Sequence, residues 1–286
     1  MGSVGPGSLA ALRSRAGRTL LAELTARARS GSLDDGALLG VLTSLRERYD
    51  PALVGAAVTQ VRLRERARVK FGADAERMFF TPEGLEQATR AAVADRHAHR
   101  FAAAGADRVL DLCCGIGGDL VAAARAGLAV HGVDRDAPTV EVARANADAL
   151  GLGDRASVEV ADVTGLALGG PAAWIDPSRR AGGRRVFDPR GYSPPLAFVE
   201  RLAAAVPLTG AKVAPGIPHH AVPPGAEAEW VSVDGEVKEA ALWFGRLATA
   251  PRRATVLPAG VTVVGSTPDP PPVGPPGSGS SSRTGR

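Results

Sequence analysis

The spacing of apolar residues changes near residue 108. Upstream, over residues 1–100, apolar side chains recur at helical intervals, as in Leu20-Leu21-Ala22-Glu23-Leu24 and Leu38-Leu39-Gly40-Val41-Leu42, so a series of helices is expected. Breaks fall at residues 30–35 and at Tyr49-Asp50-Pro51. Thr81-Pro82-Glu83-Gly84 reads as a helix start, Thr81 supplying the cap oxygen and Pro82 fitting the first turn. Downstream, short apolar runs alternate with helical stretches. Strands are expected at 109–112, 128–134, 156–161, 172–175 and 211–215, with helices over 120–127, 136–151 and 196–206. Asp136 caps the second of these, Pro138 lies in its first turn and Gly151 ends it. Such alternation predicts a parallel sheet covered by helices.

The sheet is not parallel to its end. Trp230-Val231-Ser232-Val233 and Glu239-Ala240-Ala241-Leu242-Trp243-Phe244 flank Asp234-Gly235, a two-residue hairpin signal that forces an antiparallel pair. Residues 218–225 are too short and proline-rich for a helix before that pair. From Ser266 the chain is Pro/Gly/Ser-rich without periodicity, and disorder is expected there. The fold class is therefore α/β, a Rossmann-like doubly wound sheet with a terminal antiparallel hairpin. A helical region at 1–75 precedes a domain at 76–250, and a disordered tail occupies 266–286.

Chemistry concentrates at Asp111-Leu112-Cys113-Cys114-Gly115-Ile116-Gly117-Gly118-Asp119, where a strand runs through a glycine loop into a helix. Glycines allow a sharp turn and close approach to a ligand, which then meets the positive end of the helix. A dinucleotide site would need a third glycine where Leu120 stands, and Asp111 would repel a pyrophosphate. Asp111 suits a cation-bearing, phosphate-free cofactor such as S-adenosylmethionine. Asp134 ends the second strand 17 residues past Gly117, near the roughly 20 typical of an acid that binds ribose hydroxyls. Asp162 ends the third strand, placed to accept from the adenine amino group, and Asp176 ends the fourth. Open α/β sheets bind ligands at this edge, so four strand-tip acids point to one site. Asp111, Asp134 and Asp162 also have a plainer reading as caps on local backbone, and Asp176 as a residue that orients Arg179.

These residues resemble the class I S-adenosylmethionine-dependent methyltransferases over residues 76–247. Within that superfamily the chain is similar to RNA methyltransferases of the trimethylguanosine-synthase type. Met78-Phe79-Phe80-Thr81-Pro82-Glu83 matches their F-x-x-T-P-E stretch, residues 111–118 their glycine loop, and residues 143–147 their A-x-x-N-A helix. It also resembles bacterial methyltransferases that carry a THUMP-like RNA-binding domain after this core, and it reads as a truncated member of that group. The resemblance implies a cofactor set of Asp111, Cys113, Gly115, Gly117, Asp134, Arg135 and Asp162, and places Phe80 and Thr81 with the substrate. Amine-modifying relatives carry D/N/S-P-P-aromatic at the fourth strand tip. Here Asp176-Pro177-Ser178-Arg179 keeps the acid and first proline, so Asp176, Pro177 and Arg179 are the catalytic candidates. Arg179 would replace the stacking aromatic, or Phe187 or Tyr192 would supply it.

Composition adds bounds. No apolar run reaches the about 18 residues needed to span a bilayer and no signal-peptide layout is present, so a cytoplasmic protein with no membrane partner is expected. The two cysteines, Cys113 and Cys114, are adjacent, so neither a disulfide nor a metal site is expected, and both read as strand-end packing rather than nucleophiles. His219-His220 lacks acids at ligand spacing and reads as loop. Net charge is +4, and the basic residues are nearly all arginine. Arg179, Arg180, Arg184 and Arg185 crowd one loop, suiting a phosphate-bearing substrate or merely a solvated turn. The run 62–70 would spread its charges around a helix and reads as a solvated face. The expected function is methyl transfer to RNA, a base amine such as that of guanine being the first target. A protein or small-molecule methyltransferase, a non-catalytic cofactor- or RNA-binding relative and a dehydrogenase remain alternatives; the oligomeric state is open.

Overall fold

The computed structural model describes residues 6–30, 35–181, 184–185 and 188–265. Four helices lead: α1 (Pro6–Arg13), α2 (Arg15–Arg29), α3 (Asp35–Arg46) and α4 (Pro51–Phe71). Local chemistry starts them. Ser14 Oγ accepts from the Gly17 N–H at 3.0 Å, and Asp50 accepts from the Ala52 and Leu53 N–H groups ahead of Pro51. Thr81 Oγ1 accepts from the Gly84 N–H at 2.9 Å and opens α5 (Pro82–Gln87), followed by α6 (Ala91–Ala103). Leu12, Leu20 and Leu24 pack into the same core as Val61 and Leu63 of α4 and Leu120, Val121 and Ala143 downstream, so helical region and sheet share one interior.

The second half alternates strands and helices as its apolar pattern demands: β1 (Arg108–Leu112), α7 (Gly118–Arg125), β2 (Ala129–Asp134), α8 (Ala137–Leu150), β3 (Ala156–Val160) and β4 (Ala172–Ile175). A short ribbon, β5 (Arg180–Ala181) and β6 (Arg184–Arg185), leads to α9 (Leu196–Ala205) and β7 (Leu208–Val213). Then come β8 (Glu227–Val233), β9 (Glu236–Trp243), β10 (Arg252–Leu257) and β11 (Val261–Gly265). Among the described residues nine strands form one sheet in the order β11-β10-β8-β9-β7-β4-β1-β2-β3. β3, β2, β1, β4 and β7 are parallel, and β9 inserts antiparallel between β7 and β8 around the Asp234-Gly235 turn. Strand order reverses between β1 and β4, so the switch point falls where the glycine loop leaves β1. Residues 218–225 hold only a single 3₁₀ turn, His219–Ala221. The sheet continues past residue 250, because β10 pairs with β8 and β11 with β10. The tail from Ser266 lies outside the described residues.

Charges are buried beneath the sheet's centre. Trp174 of β4 and Trp243 of β9 flank Gly210 of β7 in register, and their rings come to 5.5 Å because Gly210 has no side chain. A Cβ there would lie 2.6 Å from the Trp243 ring. His97 of α6 stacks on Trp174 at 4.0 Å, with Nδ1 2.7 Å from Asp119 and Nε2 2.7 Å from Glu239. Burial opposes charge on His97, but Glu239 and Asp119 outweigh it and lift its pKa to about 10. A folded pKa above the unfolded value of 6.5 stabilises the fold fully below that pH, and the benefit is lost as pH rises through about 10. His97 is thus expected to stay an imidazolium at pH 8 in ¹⁵N NMR, and a neutral ring there would overturn the assignment. His97→Ala should cost about 3–5 kcal/mol in urea denaturation at pH 7, because it strands two buried carboxylates. That gap should narrow toward pH 10.

Candidate functional site

A cavity of about 1040 Å³ opens at the switch point. Its floor is the carboxyl edge of the sheet: Asp111 on β1, Asp134 on β2, Asp162 after β3, Asp176 after β4 and Lys212 on β7. Its rim is α5 with the Ala88-Thr89 segment. The loop after β1 makes the turn through positive φ at Cys113 (59°), Gly115 (55°) and Gly117 (85°). Asn146 of α8 clamps the loop, donating to the carbonyls of Ile116 (2.9 Å) and Phe79 (3.1 Å) while its Oδ1 accepts from the Phe79 N–H. Gly115 donates its N–H to Asp134 Oδ2 at 3.0 Å, so the second strand tip fixes the turn of the first.

The electrostatics of the cavity are dominated by carboxylates. Asp111 is 2% exposed, and its Oδ2 is buried without a hydrogen-bond partner. Burial, then Asp119, Asp176 and Asp134, push its pKa well above the usual carboxylate range. Asp119, in the first turn of α7, is held low instead: bonds from His97 and Thr89 overcome its burial. Lys212 Nζ donates to Asp176 Oδ2 at 2.7 Å and to Thr89 Oγ1 at 3.1 Å. Burial would lower its pKa, but Asp176, Glu239 and Asp119 hold it above the ordinary lysine value. Asp176 itself is raised by burial, with Lys212 pulling the other way.

Most of the sequence candidates meet here. Asp111, Cys113, Gly115, Asp134, Arg135, Asp162, Asp176, Pro177, Arg179 and Thr81 all line the cavity. Asp134 and Asp162 also cap local backbone: Asp134 Oδ1 accepts from the Asp136 N–H, and Asp162 Oδ1 from the Thr164 N–H and hydroxyl. Thr81 spends its hydroxyl on the α5 cap. Three candidates go elsewhere. Phe80 is fully buried in the core against Phe71, driven there by its apolar ring. Tyr192 is buried under the sheet with its hydroxyl accepting from the Ala214 N–H at 3.1 Å, so it is not the stacking aromatic at the cavity. Gly117 is absent from the lining, and a Cβ on it would lie 3.4 Å from Ala143, so it serves the packing of α8. Phe187 lies outside the described residues, as do the side chains of Arg180, Arg184 and Arg185.

The sequence reading missed Lys212, Thr89 and Asp119. A usable signal was present for one: Lys212 is among only three lysines in an arginine-rich chain and interrupts an apolar strand. Residues 1–75 contribute nothing to the described lining; the cover over the cleft is α5 and its exit. Burial, followed by neighbouring carboxylates, pushes the Cys113 and Cys114 thiols up, so neither is a ready thiolate. Among the described residues no three His, Cys, Asp or Glu side chains cluster as metal ligands do, and no helix is long and apolar enough to cross a membrane.

Comparison with known proteins agrees with this geometry. Residues 109–173 match the methyltransferase domain family, and residues 6–67 match a domain of unknown function (DUF8688). An uncharacterized S-adenosylmethionine-dependent methyltransferase of Mycobacterium tuberculosis is 36% identical over 219 residues, 72% of this chain and 59% of that protein. The chain thus spans less than two thirds of the curated relative's length. A 23S rRNA (uracil(1939)-C(5))-methyltransferase of Acidithiobacillus ferrooxidans is 42% identical over 72 residues, 24% of this chain and 16% of that protein. A crystal structure from Porphyromonas gingivalis W83, assigned as a methyltransferase, superposes with a TM-score of 0.59 at 21% identity, covering 77% of this chain and 59% of that one. Residues 109–173 thus carry a methyltransferase domain, and the chain is similar to S-adenosylmethionine-dependent methyltransferases in sequence and to a methyltransferase in fold.

The residues present fit that cofactor. The unpartnered, buried Asp111 Oδ2 in the cavity wall is an acceptor waiting for a cationic group, and Asp134 offers a carboxylate at the tip of the adjacent strand. Two outcomes follow. Asp134→Ala should weaken S-adenosylhomocysteine binding at least tenfold by calorimetry, the loss of about one charged hydrogen bond; unchanged affinity would remove Asp134 from the site. Burial and the neighbouring carboxylates disfavour charge on Asp111 and a cationic ligand beside it favours that charge, so any proton exchange at Asp111 on binding should be release rather than uptake. Calorimetry in buffers of different ionisation enthalpy measures this, and zero net release would show Asp111 already ionised.

Proposed function

We propose that the chain transfers the methyl group of S-adenosylmethionine to RNA, with a base exocyclic amine such as that of guanine as the acceptor. The observation that carries the reading is Asp176, at the tip of β4 in the cofactor cavity, with one oxygen held by Lys212 at 2.7 Å. The cofactor supplies an electrophilic methyl on sulfur. The protein's task is alignment of the nucleophile, which accounts for most of the attainable acceleration. The second oxygen of Asp176 accepts an amine N–H and keeps the nitrogen lone pair aimed at the methyl. Burial, which raises Asp176, makes it a better proton acceptor than a surface aspartate once the amine becomes cationic. Lys212 and Thr89 fix the carboxylate's orientation. Arg179, half-buried in the lining, offers a guanidinium plane to a base.

RNA as the substrate is supported by Arg179, by the arginines of the adjoining loop and by the similarity over 72 residues to a ribosomal RNA methyltransferase. The raised thiols of Cys113 and Cys114 favour amine chemistry over a cysteine nucleophile. A second reading, methylation of a small amine, is favoured by the lining itself: among the described residues Glu83, Glu86 and six aspartates face only Arg135, Arg179 and Lys212. The two readings separate in one assay. Deuteromethyl-labelled cofactor is incubated with total bacterial RNA, and the digested nucleosides are read by mass spectrometry. A labelled amino-methylated nucleoside is expected, falling at least a hundredfold with Asp176→Asn while S-adenosylhomocysteine binding persists. No labelled nucleoside from the intact protein would overturn the RNA reading.

A further inference from the structure

The described lining of the cofactor cavity sets eight carboxylates against three cations, so a polynucleotide reaching it gains from phosphate contacts further away. A second cavity, of about 600 Å³, lies at the seam between α2 and α4 on one side and the C-terminal end of α8 with Arg77 and Phe79 on the other. Arg13, Arg18, Arg29, Arg64 and Arg77 line it against only two carboxylates, Glu76 and Asp148. Asp148 holds Arg13 at 2.7 Å, while Glu76 holds Arg29 at 2.5 Å and Arg68 at 2.7 Å. The hydrogen bonds of the other three arginines go to backbone carbonyls: Arg18 to that of Arg13, Arg77 to that of Ala149, and Arg64 to those of Met78 (2.9 Å) and Arg77 (3.4 Å). A carbonyl orients a guanidinium without neutralising it, so the groove keeps a net positive charge with its forks already set. Arg64 also lies 5.2 Å above the Phe79 ring, a flat cationic platform at the groove wall.

The groove and the reaction cavity are joined by a short piece of chain. Four residues beyond Arg77, Thr81 already lines the cofactor cavity, a separation of at most about 14 Å along extended backbone. We propose that this arginine groove binds the phosphodiester backbone of the RNA substrate, so that the helical region and the methyltransferase domain grip the strand together. Guanidinium forks match phosphate oxygens in pairs, and several such contacts give the salt-sensitive affinity typical of nucleic-acid binding. The proposal rests on RNA being the substrate and gives the helices of residues 6–67 a task, since they supply Arg13, Arg18, Arg29 and Arg64 and no lining of the cofactor cavity.

The test measures binding apart from reaction. A 5′-fluorescein single-stranded 20-nucleotide RNA of mixed sequence is titrated with the full chain by fluorescence anisotropy across a salt series. Arg18→Ala with Arg77→Ala should raise Kd at least tenfold at 100 mM salt and reduce the log Kd against log salt slope by about 2. S-adenosylhomocysteine affinity should stay within twofold, which shows the variant folded. The pair Arg155→Ala with Arg201→Ala, outside the groove, should change little. Equal loss in that control pair, an unchanged Kd and slope in the groove pair, or no RNA binding by the intact chain would each overturn the groove. Failure of the methylation reading shows separately, as absence of labelled nucleoside from a protein that still binds RNA through these arginines.

Discussion

The position of Asp119 constrains everything around it. It stands in the first turn of α7, directly after the glycine loop, and is buried where an isolated carboxylate would be costly. Its two oxygens are taken by His97 of α6 and by Thr89, two residues before that helix starts. Thr89 in turn accepts from Lys212, and Lys212 holds Asp176. His97 continues the chain on its other side to Glu239 of β9. A single connected set of charges therefore fixes the helix that follows the glycine loop, the helix that precedes β1, the antiparallel strand β9 and the candidate catalytic carboxylate. Each member is tolerable only because its neighbours are present, so the set specifies one relative placement of these elements.

The aromatic layer makes that set possible. Trp174 stacks on His97 and Trp243 meets it edge-on, excluding water from the ring and raising the strength of its two ion pairs. Gly210 lets the two indoles meet across β7, and Arg100 lies 4.5 Å over the Trp243 ring while pairing with Glu229 and Glu227. Glu227 is held down to about 2 by bonds from Arg100 and Arg253 that overcome its burial. The second ionic layer ties α6 to β8 and β10, so the strands added beyond the Asp234-Gly235 hairpin are bonded to the same helix that carries His97.

Local signals were legible and long-range ones were not. Thr81, Asp136, Gly151 and Asp234-Gly235 act within four residues of themselves, and the caps and the turn form where the sequence puts them. The strand-tip acids were legible because a parallel sheet brings successive carboxyl edges together whatever the side chains do. Phe80 and Tyr192 were not, since a motif position says nothing about whether a ring finds a cavity or a core. Lys212 stands out as a rare lysine in an apolar strand, but its meaning depends on Asp176, 36 residues earlier, and on Thr89, 123 residues earlier. The strands β10 and β11 were hidden for a related reason. The Val261-Thr262-Val263-Val264 run has strong strand propensity, but nothing local says that β8 offers it a free edge through β10.

The division of charge between the two cavities matches the two ligands proposed for them. A site built on strand-tip carboxylates attracts a cationic cofactor and, for the same reason, repels phosphate. Cations in its wall offset those carboxylates only in part: Lys212 pairs with Asp176, and Arg135 and Arg179 also line the cavity, against eight carboxylates among the described residues. Cations meant for a polyanion therefore gain from sitting beyond the reach of the acids. With a Debye length near 8 Å at physiological ionic strength, a separation along the surface of one extended segment is enough to keep the two fields distinct. The segment from Arg77 to Thr81 supplies that spacing, and Asn146 holds it rigid by taking both the N–H and the carbonyl of Phe79 while also gripping the glycine loop at Ile116. One buried amide thereby sets the distance between the acidic cavity and the basic groove.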